Sequence, residues 1–338
     1  MSVARIERLL KESLNHLIPV PRPEIKYTVQ APLSKRLRRF DNTRIIVPDL
    51  NMSGVYINTN ESGVMDTAVA LAKFPKIKQG CHIGFSGWHN FDIMAQRRSS
   101  IALICDLNPE NALFLSTALK YVCACSDRFQ FIEEFTKFVK KHNYIGLRSN
   151  QDRDPWMGVV SPLSIKFCFN VVDEYPYTDH YSVIEEVDLE LYRETSWLYT
   201  DERYEYIKKL ALMDKIALIT ENICSSDVFR HIVQILHFNT IQIDTVYLSN
   251  IAEWIDDKKD RDLFLETIQS FSTDIETILI DGRVDLLSDS RAPRQRCISF
   301  GELNKRNLSD WFFQPEEKAI EPEIVSADCA ERITRMPL

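Results

Sequence analysis

Five consecutive apolar residues, Ile101-Ala102-Leu103-Ile104-Cys105, stop abruptly at Asp106. A strand with one face in water alternates apolar and polar side chains. An unbroken apolar run belongs to a strand covered on both faces, which is the habit of parallel sheets. Parallel neighbours also need long crossovers, usually helices. The rest of the chain therefore has to supply alternating strands and helices.

It does. Short strand patterns are expected at Val55–Ile57, Cys81–Phe85, Ile216–Thr220, Ile241–Leu248 and Thr277–Asp281, with an edge strand near Cys297–Phe300. Between them lie helical spacings at Val64–Phe74, His89–Gln96, Pro109–Val122, Asp127–Lys141, Asp201–Leu212, Ser225–Leu236 and across Ile251–Phe271. Pro109 suits a first helical turn. This order predicts an α/β fold, a Rossmann-like three-layer sandwich with a mostly parallel sheet and right-handed crossovers.

Three segments depart from the pattern. Residues 1–54 read as an N-terminal extension packed on the core, opening on an amphipathic stripe of Ile6, Leu9, Leu10, Leu14 and Leu17. Residues 143–200, rich in Tyr, Pro, Asp and Arg with a strand-like run at Ser164–Val172, read as an inserted cap over the site. Residues 315–338, with Glu316, Glu317, Glu321 and Glu323, read as a mobile acidic tail. The Rossmann-type domain itself is expected over 55–314.

A net charge of −8 disfavours a bulk electrostatic grip on nucleic acid. The basic stretches Lys35–Arg39 and Arg97-Arg98 read as solvated surface. Eight scattered cysteines suit a reducing cytoplasm, and the Cys123-x-Cys125 pair has no second pair to complete a zinc site, so no metal is expected. No run reaches the ~20 apolar residues of a membrane span.

Only nine residues are glycine, yet Gly80, Gly84 and Gly87 crowd one strand–turn–helix junction. The run Gly84-Phe85-Ser86-Gly87-Trp88-His89-Asn90 sits where a parallel sheet opens to a nucleotide. Ser86 replaces the middle glycine of the dinucleotide fingerprint, so the turn suits a ligand without a pyrophosphate better than NAD. Asp106 follows Gly84 by about 20 positions, the spacing at which a carboxylate reads a ribose diol. Asp106 also suits a cap for the helix at Pro109. Ser249-Asn250, after the strand ending Tyr247-Leu248, either faces the crevice or caps the next helix. Glu221-Asn222 and Asn60-Glu61 stand at two further strand ends, as ligand contacts or as ordinary loop polarity.

In order, Asn60-Glu61, Gly84 with Asn90-Phe91, Asp106 with Asn111, and Tyr247-Leu248-Ser249-Asn250 with Glu253 resemble a little-characterised bacterial family with a methyltransferase-like fold. The resemblance spans roughly residues 55–285, and its most specific part is Y-L-S-N-x-x-E. It implies S-adenosylmethionine as cofactor, held by Asn60, Glu61, Gly84, Ser86, Gly87, Asn90, Asp106, Leu107, Ser249 and Asn250.

Methyl transfer from a sulfonium mainly requires that donor and nucleophile be held in line. Where a hydroxyl or amine accepts the methyl group, a nearby base assists. His89, Glu221 and Tyr247 are the candidates. The acceptor is unknown, a protein among the options. A competing expectation is a catalytically inactive interaction module of the same fold, motivated by Ser86, the cap and the acidic tail. That tail resembles the glutamate-rich export signals of bacterial effectors translocated by type IV systems.

Overall fold

The computed structural model describes residue 59 and residues 61–149, 193–284 and 293–313, with short pieces at 5, 8–9, 18–19, 25–27 and 43–45. Seven strands form one sheet: β1 (Ile18–Pro19), β4 (Cys81–Phe85), β5 (Ile101–Asp106), β6 (Ile216–Thr220), β7 (Ile243–Tyr247), β8 (Ile278–Val284) and β9 (Pro293–Ser299). Their order across the sheet is β1-β6-β5-β4-β7-β8-β9. The five central strands are parallel, and β1 and β9 close the edges antiparallel. β2 (Ile25–Tyr27) and β3 (Thr43–Ile45) make a separate antiparallel pair.

From residue 59 on, the helices among the described residues are α1 (Val64–Lys73), α2 (His89–Arg97), α3 (Pro109–Ala124), α4 (Arg128–Ser149), α5 (Asp201–Leu212), α6 (Ser226–Phe238), α7 (Lys258–Phe271), α8 (Phe300–Leu303) and α9 (Leu308–Phe313), with a 3-10 turn at Ile251–Trp254. Alternate residues of β5 go to opposite layers. Ala102 and Ile104 pack with Trp88, Phe114, Phe131 and Trp197 under α2 to α5. Ile101, Leu103 and Cys105 pack with Phe229, Phe264 and Phe271 under α6 and α7. Both faces are covered, as the unbroken apolar run requires. This is the expected Rossmann-like three-layer sandwich.

The chain adds β5 and then β6 to one side of β4, and returns to add β7, β8 and β9 to the other. The order therefore reverses between β4 and β7, and the carboxyl ends of the strands beside such a switch point are where open α/β sheets take ligands in a crevice. At the opposite end of the sheet Arg97, expected to be solvated surface, instead forms a buried ion pair with Asp244. Arg97 Nη2 and Nε reach the two carboxylate oxygens at 2.6 and 2.8 Å, and the guanidinium also donates to the carbonyls of Leu71, Phe74 and Pro75. This pins the entry to β4.

Several boundaries differ from the sequence expectations. α4 runs to Ser149, so the stretch assigned to the cap begins as a continuation of a core helix. β9 starts at Pro293, four residues earlier than expected, because it pairs with β8 along seven residues, from Ile278↔Ser299 to Val284↔Pro293. The extension contributes β1 as an edge strand and packs Leu9 against the core. The expected strands Val55–Ile57 and Ser164–Val172 and the tail 315–338 lie outside the described residues. Among the described residues, no helix is long and apolar enough to cross a membrane.

Candidate functional site

The turn after β4 is held from beneath by a polar side chain in an otherwise apolar strand. His82 is fully buried, and its Nε2 donates to Asn90 Oδ1 at 2.9 Å while Nδ1 accepts from the Thr245 hydroxyl at 2.8 Å. Burial pushes this imidazole down to about 4, so it is neutral near pH 7. Asn90 in turn donates to the carbonyls of Phe85 at 2.9 Å and Gly87 at 2.6 Å. Gly84 has to be glycine here: a Cβ would overlap Asn90 Oδ1 and lie 2.6 Å from His82 Nε2. Its open face is filled by the protein's own side chains. Ser86 takes φ 71°, a left-handed conformation that glycine would adopt more easily, and its N–H donates to the Cys105 carbonyl.

One strand over, Asp106 ends β5. Its Oδ1 accepts from the Asn108 N–H at 2.7 Å and its Oδ2 from Asn111 Nδ2 at 2.6 Å, so it orders the turn that leads into α3 without capping a backbone N–H of the helix itself. Burial raises its carboxyl pKa, partly offset by these two donors. Leu107, the next residue, is 68% exposed at the rim. Glu221 joins this corner, because its N–H donates to the Asp106 carbonyl at 3.1 Å. Its carboxylate accepts from the Asn222 N–H and the Ser225 hydroxyl, which orders the turn before α6.

A second cluster lies across the switch point. Tyr247 ends β7, fully buried, and its hydroxyl donates to Glu61 Oε2 at 3.2 Å. Glu61 is itself fully buried, pressed against Gly282, where a Cβ would sit 2.6 Å from Oε1. Burial raises the Glu61 carboxyl, against the lowering pull of Ser249, His89, Gln295 and Thr59. Gln295 Nε2 donates to Glu61 Oε2 at 2.5 Å and to His89 Nε2 at 2.9 Å. His89 Nδ1 donates to Asp92 at 2.8 Å, and Asp92 also accepts from Arg193 and from the Trp197 N–H. Burial pushes the Asp92 carboxyl up, but Arg193 and His89 outweigh it and hold the group below its usual range. Ser249 is buried with φ 55°, and its carbonyl accepts from the Gly282 N–H. Asn250 turns to Glu253 at 3.1 Å.

The fold thus brings Glu61, Tyr247, His89 and Ser249 together on one side of the switch point and Asp106, Leu107 and Glu221 on the other. Gly84, Ser86, Gly87 and Asn90 form the turn between them. Asn60 lies outside the described residues. Sequence reasoning missed His82, Asp92, Gln295 and Arg193. Asp92 was within reach, three positions after His89 and so on the same helical face. His82 was signalled as a polar residue within an apolar strand. Gln295 was not, since its strand was expected to begin only after it.

The fold defines the class: a Rossmann-like α/β protein whose polar groups gather at the carboxyl end of its parallel strands. Over residues 56–315 the chain matches the family described as a domain of unknown function, DUF7790, and it belongs to that family. No curated protein matches it.

Proposed function

We propose that the crevice binds S-adenosylmethionine and that the protein is a methyltransferase-like enzyme. The observation that carries this reading is Asp106. Its carboxylate stands at the end of the strand beside the glycine turn, next to the point where strand order reverses. Each oxygen accepts one hydrogen bond among the described residues. A carboxylate oxygen has two lone pairs, so both oxygens keep capacity for a ribose diol while still holding the turn before α3. Exposed Leu107 beside it offers an apolar surface to a nucleoside base.

Of the three candidate bases, His89 and Tyr247 are buried and spend their polar atoms on neighbours. Glu221 is only partly buried, at the rim, and is the one a methyl acceptor reaches directly.

A second reading is favoured by one observation: Asn90 fills the face of Gly84 that a cofactor would approach. On that reading the protein keeps the fold as an interaction module, a bacterial effector carried by its acidic tail. Calorimetric titration of Asp106→Ala separates the two. Under the first, wild type binds S-adenosylmethionine and the variant does not. Under the second, neither binds, and the variant still engages its partner.

A further inference from the structure

Each helix that leads into a parallel strand ends at the amino edge of the sheet, opposite the edge that carries Asp106. Along that edge the connections follow the strand order. α5 leads into β6, α2 into β5, α1 into β4, α6 into β7 and α7 into β8. Large apolar side chains stand out there into solvent. They are Leu212 and Met213 at the end of α5, Phe238 at the end of α6 and Ile275 before β8, with Phe238 85% and Ile275 70% exposed. Lys209 in the last turn of α5, Lys73 at the end of α1, and Lys76 and Lys78 before β4 are exposed beside them. None of these four lysines meets a carboxylate among the described residues, and Lys76 donates to the Gln96 carbonyl at 3.0 Å.

The two edges differ in sign. With Lys215, the amino edge carries five lysines against three acids, Asp214, Asp274 and Glu276. Asp274 is engaged by Gln242 Nε2 and by the Glu276 N–H, each at 2.9 Å, and Arg98 is paired with Glu202. At the carboxyl edge, the ends of β4 to β7 and the connections that leave them hold Asp106, Glu221, Glu253, Asp256 and Asp257 and neither Lys nor Arg. In a chain of net charge −8, the amino edge is thus where an anionic surface is approached without repulsion.

We propose that the amino edge of the sheet docks on an anionic lipid bilayer. Its apolar side chains stand on separate connections, from β6 to β8. Neighbouring strands lie about 4.8 Å apart, so the row is roughly 19 Å long. A protein partner is met by one contiguous apolar patch. Single apolar tips set among lysines suit a fluid interface, where each enters the acyl boundary alone. Lysine stems lie along that boundary with their ammonium groups among the lipid phosphates. The acidic carboxyl edge is repelled by the same surface, so the Asp106 side faces the aqueous phase. The docking is independent of what the Asp106 side binds.

The test is co-sedimentation of full-length protein with vesicles of phosphatidylcholine, with and without phosphatidylserine. Wild type is expected to sediment with the anionic vesicles, to ignore the neutral ones and to be released by high salt. Phe238→Ser is expected to lower the partition coefficient about tenfold, and joint Lys76→Glu and Lys78→Glu to abolish sedimentation. Trp254→Ser, an exposed change at the carboxyl edge, leaves it intact. Wild type that ignores anionic vesicles overturns the proposal, as does equal binding to both kinds. So do amino-edge variants that sediment like wild type, or a loss in Trp254→Ser. Capture by soluble polyglutamate in place of vesicles marks an acidic protein partner and overturns it too.

Discussion

The side chain of Asn90 occupies the space that a Cβ on Gly84 would need, and it does so while bonded to His82. Gly84→Ala is therefore an overpacking change in a rigid site and should cost about 1–3 kcal/mol in urea unfolding. Asn90→Ala alone leaves buried His82 without its Nε2 acceptor and is also destabilising. The double variant removes the overlap, so its loss should fall short of the sum of the singles. Strict additivity would mean that the two residues do not meet as described.

Arg97 and Asp244 are both buried, and the ion pair is closed by three backbone carbonyls. Removing one partner strands the other charge. Arg97→Met should lose about 3–5 kcal/mol. Arg97→Lys should recover only part of this, because an ammonium cannot reproduce the two-point contact with Asp244. Denaturant midpoints at constant slope check both.

Glu61 and Asp92 should respond to pH with opposite sign. The Glu61 carboxyl is raised above 4.5 by burial, so the folded state binds its proton more tightly than the unfolded chain. Its contribution is greatest below the unfolded value and is lost as pH rises through the folded one. Relative to Glu61→Gln, wild type should thus lose stability as pH increases across that window. Asp92 is held below 3.8, so what it contributes is present above that value and is lost as pH falls through its lower folded pKa. Asp92→Asn should lose its disadvantage relative to wild type on strong acidification. Unfolding curves at a series of pH values give both differences, and a difference independent of pH would contradict the assignment.

On the proposed reading Asp106 both holds the turn before α3 and contacts the cofactor, and two measurements separate the roles. Loss of its hydrogen bonds to the turn before α3 should cost about 1 kcal/mol, a modest fall in melting temperature. Loss of S-adenosylmethionine binding should be complete at concentrations where wild type saturates. Asn111→Ala removes a donor to Asp106 but leaves the carboxylate that the proposal assigns to the ribose, and should weaken binding far less.

The sheet was legible because its strands are apolar on both faces. Cys81–Phe85 and Ile216–Thr220 match the expected bounds residue for residue. Asp106, at the end of such a run, marks the carboxyl end of its strand without any knowledge of partners. The other half of the site was not legible in the same way. Glu61, Gln295 and His89 are distant in sequence and meet only because β9 folds back beside β8 and α1. Nothing local distinguishes Gln295 from a surface glutamine. The role of Gly84 was open for a similar reason: the spacing called for close approach, and only the fold reveals that Asn90 makes it.

The measurement closest to the central claim is calorimetric titration of the full-length wild-type protein with S-adenosylmethionine, S-adenosylhomocysteine and NAD in parallel. The crevice around Asp106 predicts binding of the first two in the micromolar range and none of NAD, whose pyrophosphate needs the glycine that Ser86 replaces. Silence from all three in folded protein, or binding of NAD alone, would contradict it.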